Sequence, residues 1–497
     1  MSICSKIAGM RSVTANRHAF VGRDTELAQL RRTARLAKAG LIVCRGRRRI
    51  GKSTLIEHFA HEEFEHFYEF QGLAPREALD NRHQLENFSR QLAEQHRLPP
   101  LRLQSWHEAF ALLARLTEGQ RALIFLDEIS WMASRDQDFV GQLKIAWDTR
   151  FKKNRGLIVV LCGSVSSWID KNILNSADFL GRVSLSLDLH ELPLDQCSAF
   201  FSEVGGTAGK RISILERARI LCVTGGMPRY LEEIEYGATA ERNIIDLCFS
   251  RGGFLVDEFD KIFNDIFSVR ATTYRRIVGT LTDGSRTFSD ICAELGVAPS
   301  GVFSEYLEDL ETAGFVQRDY VYSLATGKRS KLSHYRLKDN YLRFYLKYIA
   351  DSREKIDAGI FDFEGVRSLA AFDAIMGLQF QNLVLNNIPL ILETLKVNLS
   401  HLRSASPYFQ NQTRRQKGCQ IDLLIDTKYA VYLCEIKLRT KLPSSIVDEV
   451  AQKAARLKVD RTKSLRRVLI YLGELAPGIE DSGAFDHLIP FERFLPV

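Results

Sequence analysis

Apolar runs set the rhythm of the first half of the chain. Leu41-Ile-Val-Cys44, Ala122-Leu-Ile-Phe-Leu126 and Leu157-Ile-Val-Val-Leu-Cys162 are short and uninterrupted, which predicts buried strands. The first opens, after a glycine-containing loop, onto Thr54-Leu-Ile-Glu-His-Phe-Ala60, which has helical spacing. Between residues 271 and 350 the pattern changes. Tyr274–Leu281 predicts one helix and Phe288–Leu295 a second; Gly296-Val297 makes a turn. Ser300–Ala313 predicts a third helix with Val302, Tyr306, Leu307, Leu310 and Ala313 on or near one face. Gly314-Phe-Val316 then begins a strand, and the basic Thr326–Lys331 stretch has the character of a wing, so this is helix-turn-helix spacing followed by a β-hairpin. In the last third, Cys419–Ile425 and Tyr432–Leu438 read as two strands joined by a turn at Asp426–Tyr429.

At 497 residues the chain is expected to hold two to four domains. With 45% hydrophobic and 26% charged residues, the composition is that of a globular protein. A net charge of +7 is compatible with nucleic acid without naming a partner. Nine cysteines are scattered singly, without CxxC spacing, as expected of buried thiols in a reducing cytoplasm. No run of about eighteen apolar residues predicts a membrane span, and Met1–Asn16 lacks the apolar core of a secretory signal. The histidines fall into no HExxH or His-Cys spacing.

The loop after the first strand reads Gly46-Arg47-Arg48-Arg49-Ile50-Gly51-Lys52-Ser53, followed by Thr54. Its two glycines allow the backbone to curl so that N–H groups face a phosphate, and the new helix adds its positive end. Lys52 is expected to reach the β- and γ-phosphates and Ser53 to bind Mg²⁺. The second strand ends in Asp127 and Glu128: Asp127 is expected in the Mg²⁺ shell, and Glu128 as the group that polarises the attacking water. The third strand ends in Gly163-Ser164, and Ser164 is the candidate for sensing the γ-phosphate or orienting the water.

These motifs resemble those of the archaeal-type ATPases, which stand with the signal-transduction ATPases related to the AAA+ class. The resemblance extends over about residues 18–350. It includes Phe20-Val-Gly-Arg-Asp-Thr-Glu-Leu27, the arginine-rich phosphate loop, Leu126-Asp-Glu-Ile129, Cys162-Gly-Ser-Val-Ser166, Gly181-Arg182, Leu192-Pro-Leu194 and Gly225-Gly-Met-Pro-Arg-Tyr-Leu231. It implies ATP rather than GTP, and a helical lid carrying the Gly-Gly-Met-Pro segment. Arg182 is then a candidate for contacting the γ-phosphate in its own or a neighbouring subunit; the alternative is a surface arginine paired with an acid such as Asp178. Pro228 is expected to hold a backbone turn. Arg23 is expected either near the adenine or in a local pair. Winged helices in this family stand beside nucleotide or mediate dimers. Glu305, Glu308, Asp309 and Glu311 make the third helix acidic, so a structural role is favoured over base reading. Tyr335–Tyr345 resembles the segment that follows this module.

The C-terminal third carries a second constellation. If the 426–429 turn centres on Thr427 and Lys428, Asp422 faces Leu433, and Asp422, Glu435 and Lys437 share one face of the hairpin. Two carboxylates and a lysine there make a candidate Mg²⁺ site acting on phosphodiesters. Asp422…Glu435-Ile-Lys437 resembles the motif of restriction-endonuclease-like nucleases. Arg414–Asp422 resembles a C-terminal domain of unknown function, number 234, that follows such ATPases. Gln381 stands where that fold commonly has an acid, which leaves cleavage open; Gln420 shares the Asp422 face. Basic residues between 402 and 417, with Tyr408 and Phe409, are candidates for tracking a nucleic-acid backbone.

The expected architecture is therefore α/β and multidomain: a P-loop ATPase core with a parallel sheet at 18–200, a helical lid at 201–265, a winged helix at 266–350 and a restriction-endonuclease-like α/β domain at 351–497. The expected activity is Mg²⁺-dependent ATP hydrolysis coupled to a nucleic-acid-binding, nuclease-like domain, in a cytoplasmic protein with DNA or another nucleic acid, a protein partner or a second copy as possible partners. The alternative is an ATP-dependent scaffold or regulator with an inactive nuclease fold. A sequence-specific transcription factor is the weakest reading.

Overall fold

The computed structural model describes residues 20–74, 80–134, 136, 138–164, 167–267, 270–361, 365–413 and 417–496. The N-terminal stretch Met1–Asn16, Val165, Ser166, Arg414 and Arg415, all drawn on above, lie outside the described residues.

The three apolar runs become β1 (Gly40–Gly46), β3 (Ala122–Asp127) and β4 (Leu157–Gly163). With β2 (His66–Gln71) and β5 (Leu185–Leu189) they form a parallel sheet in the order β2-β3-β4-β1-β5. Almost every residue of β1, β3 and β4 is buried, the signature of strands covered by helices on both faces. The order places β4 between the two strands that end in the phosphate loop and the Asp-Glu pair, so all three strand ends converge at one edge of the sheet.

Short helices follow β5. The second glycine of Gly225-Gly226 lies so close to the Leu192 backbone that a Cβ there would stand 2.2 Å from its carbonyl oxygen. Gly226→Ala is expected to displace the Leu192 segment and lower the thermal midpoint markedly. A melting curve matching the parent would show that the segment yields. Pro228 occupies the first turn of the helix Pro228–Glu232, where its missing N–H costs no bond.

Helices Ala271–Gly279, Phe288–Leu295 and Gly301–Thr312 precede an antiparallel hairpin of β6 (Val316–Tyr322) and β7 (Arg329–Leu337), a winged helix-turn-helix. Thr287 caps the second helix in a reciprocal box with Asp290, and Ser300 caps the third. On the third helix Phe303, Leu307 and Leu310 are buried while Glu305 and Glu308 are exposed.

The C-terminal region is a mixed sheet, in the order β12-β11-β10-β9-β8: β8 (Leu402–Gln410), β9 (Cys419–Thr427), β10 (Ala430–Leu442), β11 (Ser464–Leu475) and β12 (His487–Pro490). Helix Phe372–Asn386 packs on it, and helix Ile446–Arg456 makes the crossover between the parallel strands β10 and β11. A single apolar core continues from Val21 and Leu30 through the helices that follow β5 and the winged helix to Leu423, Ile436 and Phe491, so the parts are packed together rather than strung apart. The described cysteines are buried and free. Among the described residues no single helix is long and apolar enough to cross a membrane. The bent pair Phe372–Asn386 and Ile388–Thr394 passes on length and composition, but much of it is core here.

Candidate functional site

The phosphate loop is shaped by left-handed backbone at two positions. Gly51 adopts φ 85° and Arg49 φ 70°; the first is natural to glycine, the second needs support. Arg49 receives it from Glu258, 3.0 Å from its Nε. Lys52 is buried and folds its ammonium back onto the loop, donating to the carbonyls of Gly46 at 3.0 Å and Arg47 at 3.1 Å. Ser53 Oγ donates to Asp127 Oδ2 at 2.8 Å. Glu128 follows in left-handed conformation, φ 50°, with its N–H on Asp127 Oδ1. Ser164 lies beside it, its hydroxyl 3.3 Å from Glu128 Oε2. Burial lifts the Glu128 carboxyl above its ordinary range, against the pull of Lys52. Ile50 is buried, Arg48 half-buried, and Thr54 exposed at the start of the helix Lys52–Glu63.

Hard oxygen donors from Ser53 and Asp127, beside a lysine and a ring of loop amides, fit Mg²⁺ carried with a nucleotide. Mg²⁺ keeps most of its shell for phosphate and water and needs no protein cage. No cluster of three or more His, Cys, Asp or Glu residues suited to a metal occurs among the described residues.

Arg23 and Arg47 have partners that their motifs do not name, and no motif singles out Glu191 or Asp339. Arg23, itself left-handed, spans from the loop to the sheet: its Nη2 donates to the carbonyls of Ile50 and His190, and its Nη1 to Glu26. This is a structural clamp on the loop. Arg47 runs the other way. It is buried, pairs with Asp339 and stacks over Phe315 at 4.4 Å, tying the loop to the end of the winged helix. Glu191 lies 3.8 Å from Arg47 and accepts the Gly226 N–H. The sequence signals for this network are the Arg23 motif and the run of arginines inside the loop; neither names Glu191 or Asp339.

Burial, then the charge of Asp339, push the Glu191 carboxyl up to about 7, outweighing Arg47 and Lys338. A folded-state value raised above the unfolded one favours the protonated form. Its contribution to stability is therefore complete below about pH 4.5 and lost as pH rises to about 7. Denaturant midpoints at pH 5 and pH 7.5 are expected to differ less in Glu191→Gln than in the parent; an unchanged difference would remove Glu191 as the source.

Arg182 is not at the loop. Its guanidinium forks onto Asp148 of the helix Phe139–Thr149, at 2.9 and 2.8 Å. The acid partner is thus Asp148, not Asp178, because the turn at Gly181 (φ 72°) directs the arginine across to the neighbouring helix.

In the C-terminal sheet, β9 and β10 pair Asp426 with Val431 and Leu423 with Cys434. The turn therefore centres on Lys428 and Tyr429, not on Thr427 and Lys428. Thr427 Oγ1 accepts the N–H of Ala430 and so closes the turn one residue later. Moving the centre by one shifts the pairing by two, which preserves the face. Continuing the register places Asp422 opposite Glu435. Asp422 Oδ2 accepts the Ile436 N–H at 2.8 Å, and its Oδ1 accepts the Gln381 amide at 3.0 Å. Glu435 is fully buried and holds two ammonium groups, Lys437 at 2.7 Å and Lys453 at 2.7 Å. Lys453 and Glu449, spaced i,i+4 on Ile446–Arg456, complete the cluster. They were visible only as an ordinary helical salt-bridge pair. Burial, then Asp422, push the Glu435 carboxyl up to about 7 despite both lysines. A divalent cation on Glu435 competes with Lys437 and Lys453 for the same oxygens. Tyr408 and Phe409 lie in β8, where Phe409 stacks on His334 at 3.8 Å and so is engaged within the protein.

Residues 20–234 match the family model of an ATPase domain predominantly from Archaea. This stretch is an archaeal-type ATPase domain. Residues 273–318 match the bacterial regulatory protein arsR family. An uncharacterized protein of Methanocaldococcus jannaschii is 24% identical over 364 residues, covering 73% of this chain and 75% of its own. Among solved structures, a Walker-type ATPase of Pyrococcus abyssi is 16% identical, covering 66% of this chain and 97% of its own, with a TM-score of 0.49. The ORC2 protein of Aeropyrum pernix, solved as ADPNP and ADP complexes, is 15% identical and covers 69% of this chain and 96% of its own, with a TM-score of 0.41.

Proposed function

We propose that the protein is a Mg²⁺-dependent ATPase acting as a nucleotide switch on a C-terminal, nuclease-like domain that engages nucleic acid. The observation that carries the ATPase half is the convergence of Lys52, the Ser53–Asp127 bond at 2.8 Å, and Glu128 beside Ser164 within the archaeal-type domain. Lys52 leaves the loop carbonyls for the phosphate chain, and the loop amides cradle it. Mg²⁺, held at Ser53 and Asp127, would neutralise phosphate charge. Glu128, raised by burial, orients and deprotonates the attacking water. Arg47 supplies the coupling: a loop that reshapes around phosphate pulls on Asp339, the N-cap of helix Asn340–Phe344. Asn340 in turn bonds the Gln379 carbonyl on the helix that carries Gln381 to Asp422.

The Asp422–Glu435–Lys437 face supports phosphodiester binding, with Lys437 and Lys453 as the cations. A second reading, binding without cleavage, is favoured by Gln381 at Asp422 and by the two lysines that hold Glu435. Metal-dependent cleavage of single- and double-stranded DNA and RNA, with and without ATP, tests both. Loss of cleavage in Asp422→Ala establishes the nuclease, and loss in Lys52→Ala the ATP control. Intact ATP hydrolysis with no cleavage under Mg²⁺ or Mn²⁺ selects the second reading.

A further inference from the structure

Between the winged-helix hairpin and the C-terminal sheet lies a cavity of about 350 Å³, with Asp319, Arg336, Arg343, Gln381, Phe409 and Gln420 in its wall. Two acids, Asp283 and Asp319, and two arginines, Arg336 and Arg343, stand in its wall, but both acids are engaged by cations other than Arg343. Asp283 is matched by Lys347 at 2.7 Å, and Asp319 by Arg336 at 2.9 Å. The nearby Asp339 is taken by Arg47. Arg343 is left over. It is 3% exposed, and no described carboxylate lies within ion-pair distance of it. Its Nη2 donates to the Leu337 carbonyl at 3.2 Å and its Nη1 to Gln379 Oε1 at 3.4 Å, while its Nε has no partner. A buried cation satisfied only by neutral oxygens is costly, and proteins seldom keep one without an anion to meet it.

The surroundings specify the anion. A guanidinium with an unused N–H suits a group with several acceptor oxygens, and phosphate has them. The wall continues through Gln381, whose amide reaches Asp422. An anion at Arg343 therefore sits one side chain away from the carboxylate cluster. Burial, and then the like charge of Arg336, hold the Arg343 guanidinium down at about 10, so it remains charged at neutral pH.

We propose that this cavity binds a phosphate group, with Arg343 as its principal ligand and Arg336 beside it. It is a backbone phosphate of a nucleic-acid strand if the reading of the C-terminal cluster holds, and a free phosphate or nucleotide otherwise. The identity of the source alone rests on that reading.

The test uses the full chain in a Lys52→Ala background, so that phosphate at the P-loop does not contribute. Thermal midpoints are measured against inorganic phosphate, and labelled single-stranded DNA and RNA oligonucleotides are titrated by anisotropy. Phosphate is expected to raise the midpoint, and Arg343→Met to abolish the rise. Without phosphate, Arg343→Met is expected to melt no lower than its parent, because an unmatched buried charge is gone. Oligonucleotide affinity is expected to fall about tenfold, with the salt slope reduced by about one. Loss of the phosphate response with unchanged oligonucleotide affinity keeps the anion site and assigns it to free phosphate or nucleotide. A phosphate response unchanged in Arg343→Met overturns the proposal. If that variant does not fold, Arg343→Lys, which keeps the charge but not the fork, is expected to weaken phosphate binding about tenfold, and unchanged binding overturns it equally.

Discussion

Glu128→Gln is expected to lower ATP turnover by about 10²- to 10⁴-fold while nucleotide binding persists, whereas Lys52→Ala is expected to weaken binding and abolish turnover together. The difference follows from what each group touches. Lys52 is buried among the loop carbonyls of Gly46 and Arg47, at the centre of the loop proposed to hold phosphate. Glu128 is off the loop, at the end of β3, in a strained left-handed conformation that points it toward Ser164. Glutamine keeps its size and its contact with Ser164 but carries no basic oxygen at neutral pH. Steady-state hydrolysis alongside equilibrium binding of a fluorescent ATP analogue separates the two. Turnover in Glu128→Gln within threefold of the parent would remove Glu128 as the base.

Breaking the Arg47–Asp339 pair from one side is expected to be the most destabilising single change outside the apolar core, at about 3–5 kcal/mol. Both groups are buried, and Asp339→Asn retains the N-cap acceptor for the Leu342 N–H while leaving Arg47 charged with only Glu191, at 3.8 Å, to face it. Arg47 Nε already lacks a partner, and Glu191 at 3.8 Å is too far to replace the hydrogen bond that is lost. Combining Asp339→Asn with Arg47→Met is expected to recover most of the stability but to abolish the coupling proposed between nucleotide and the C-terminal cluster. Urea unfolding of the two single variants and the double variant measures the coupling. Additive losses would show that the pair does not act as a unit.

The chemistry of the ATPase half is written in consecutive residues. A phosphate loop must be contiguous because its amides all face one ligand, so Gly46–Ser53 is visible as a string, and Asp127-Glu128 is visible because an apolar strand has to end where its carboxylates begin. The three winged-helix segments, the hairpin after them and the shared face of Asp422 and Glu435 are legible for the same reason: helical and strand periods are local. Even the misplaced turn centre preserved the face, since side chains alternate with a period of two.

What the sequence left undetermined lies in contacts between distant segments. Arg182 goes to Asp148, Arg47 to Asp339, Glu435 to Lys453 as well as Lys437, and Arg343 to no acid among the described residues. A charged side chain announces its sign in the sequence but not its partner. The partner is chosen when packing removes water and leaves the nearest opposite charge, or none, within reach. By itself the sequence determined the phosphate loop, the Asp127-Glu128 pair at the end of its neighbouring motif strand and the secondary elements. Only the tertiary structure decided how that loop is clamped, which residue Arg47 pairs with, and which buried cation has no described anion in reach.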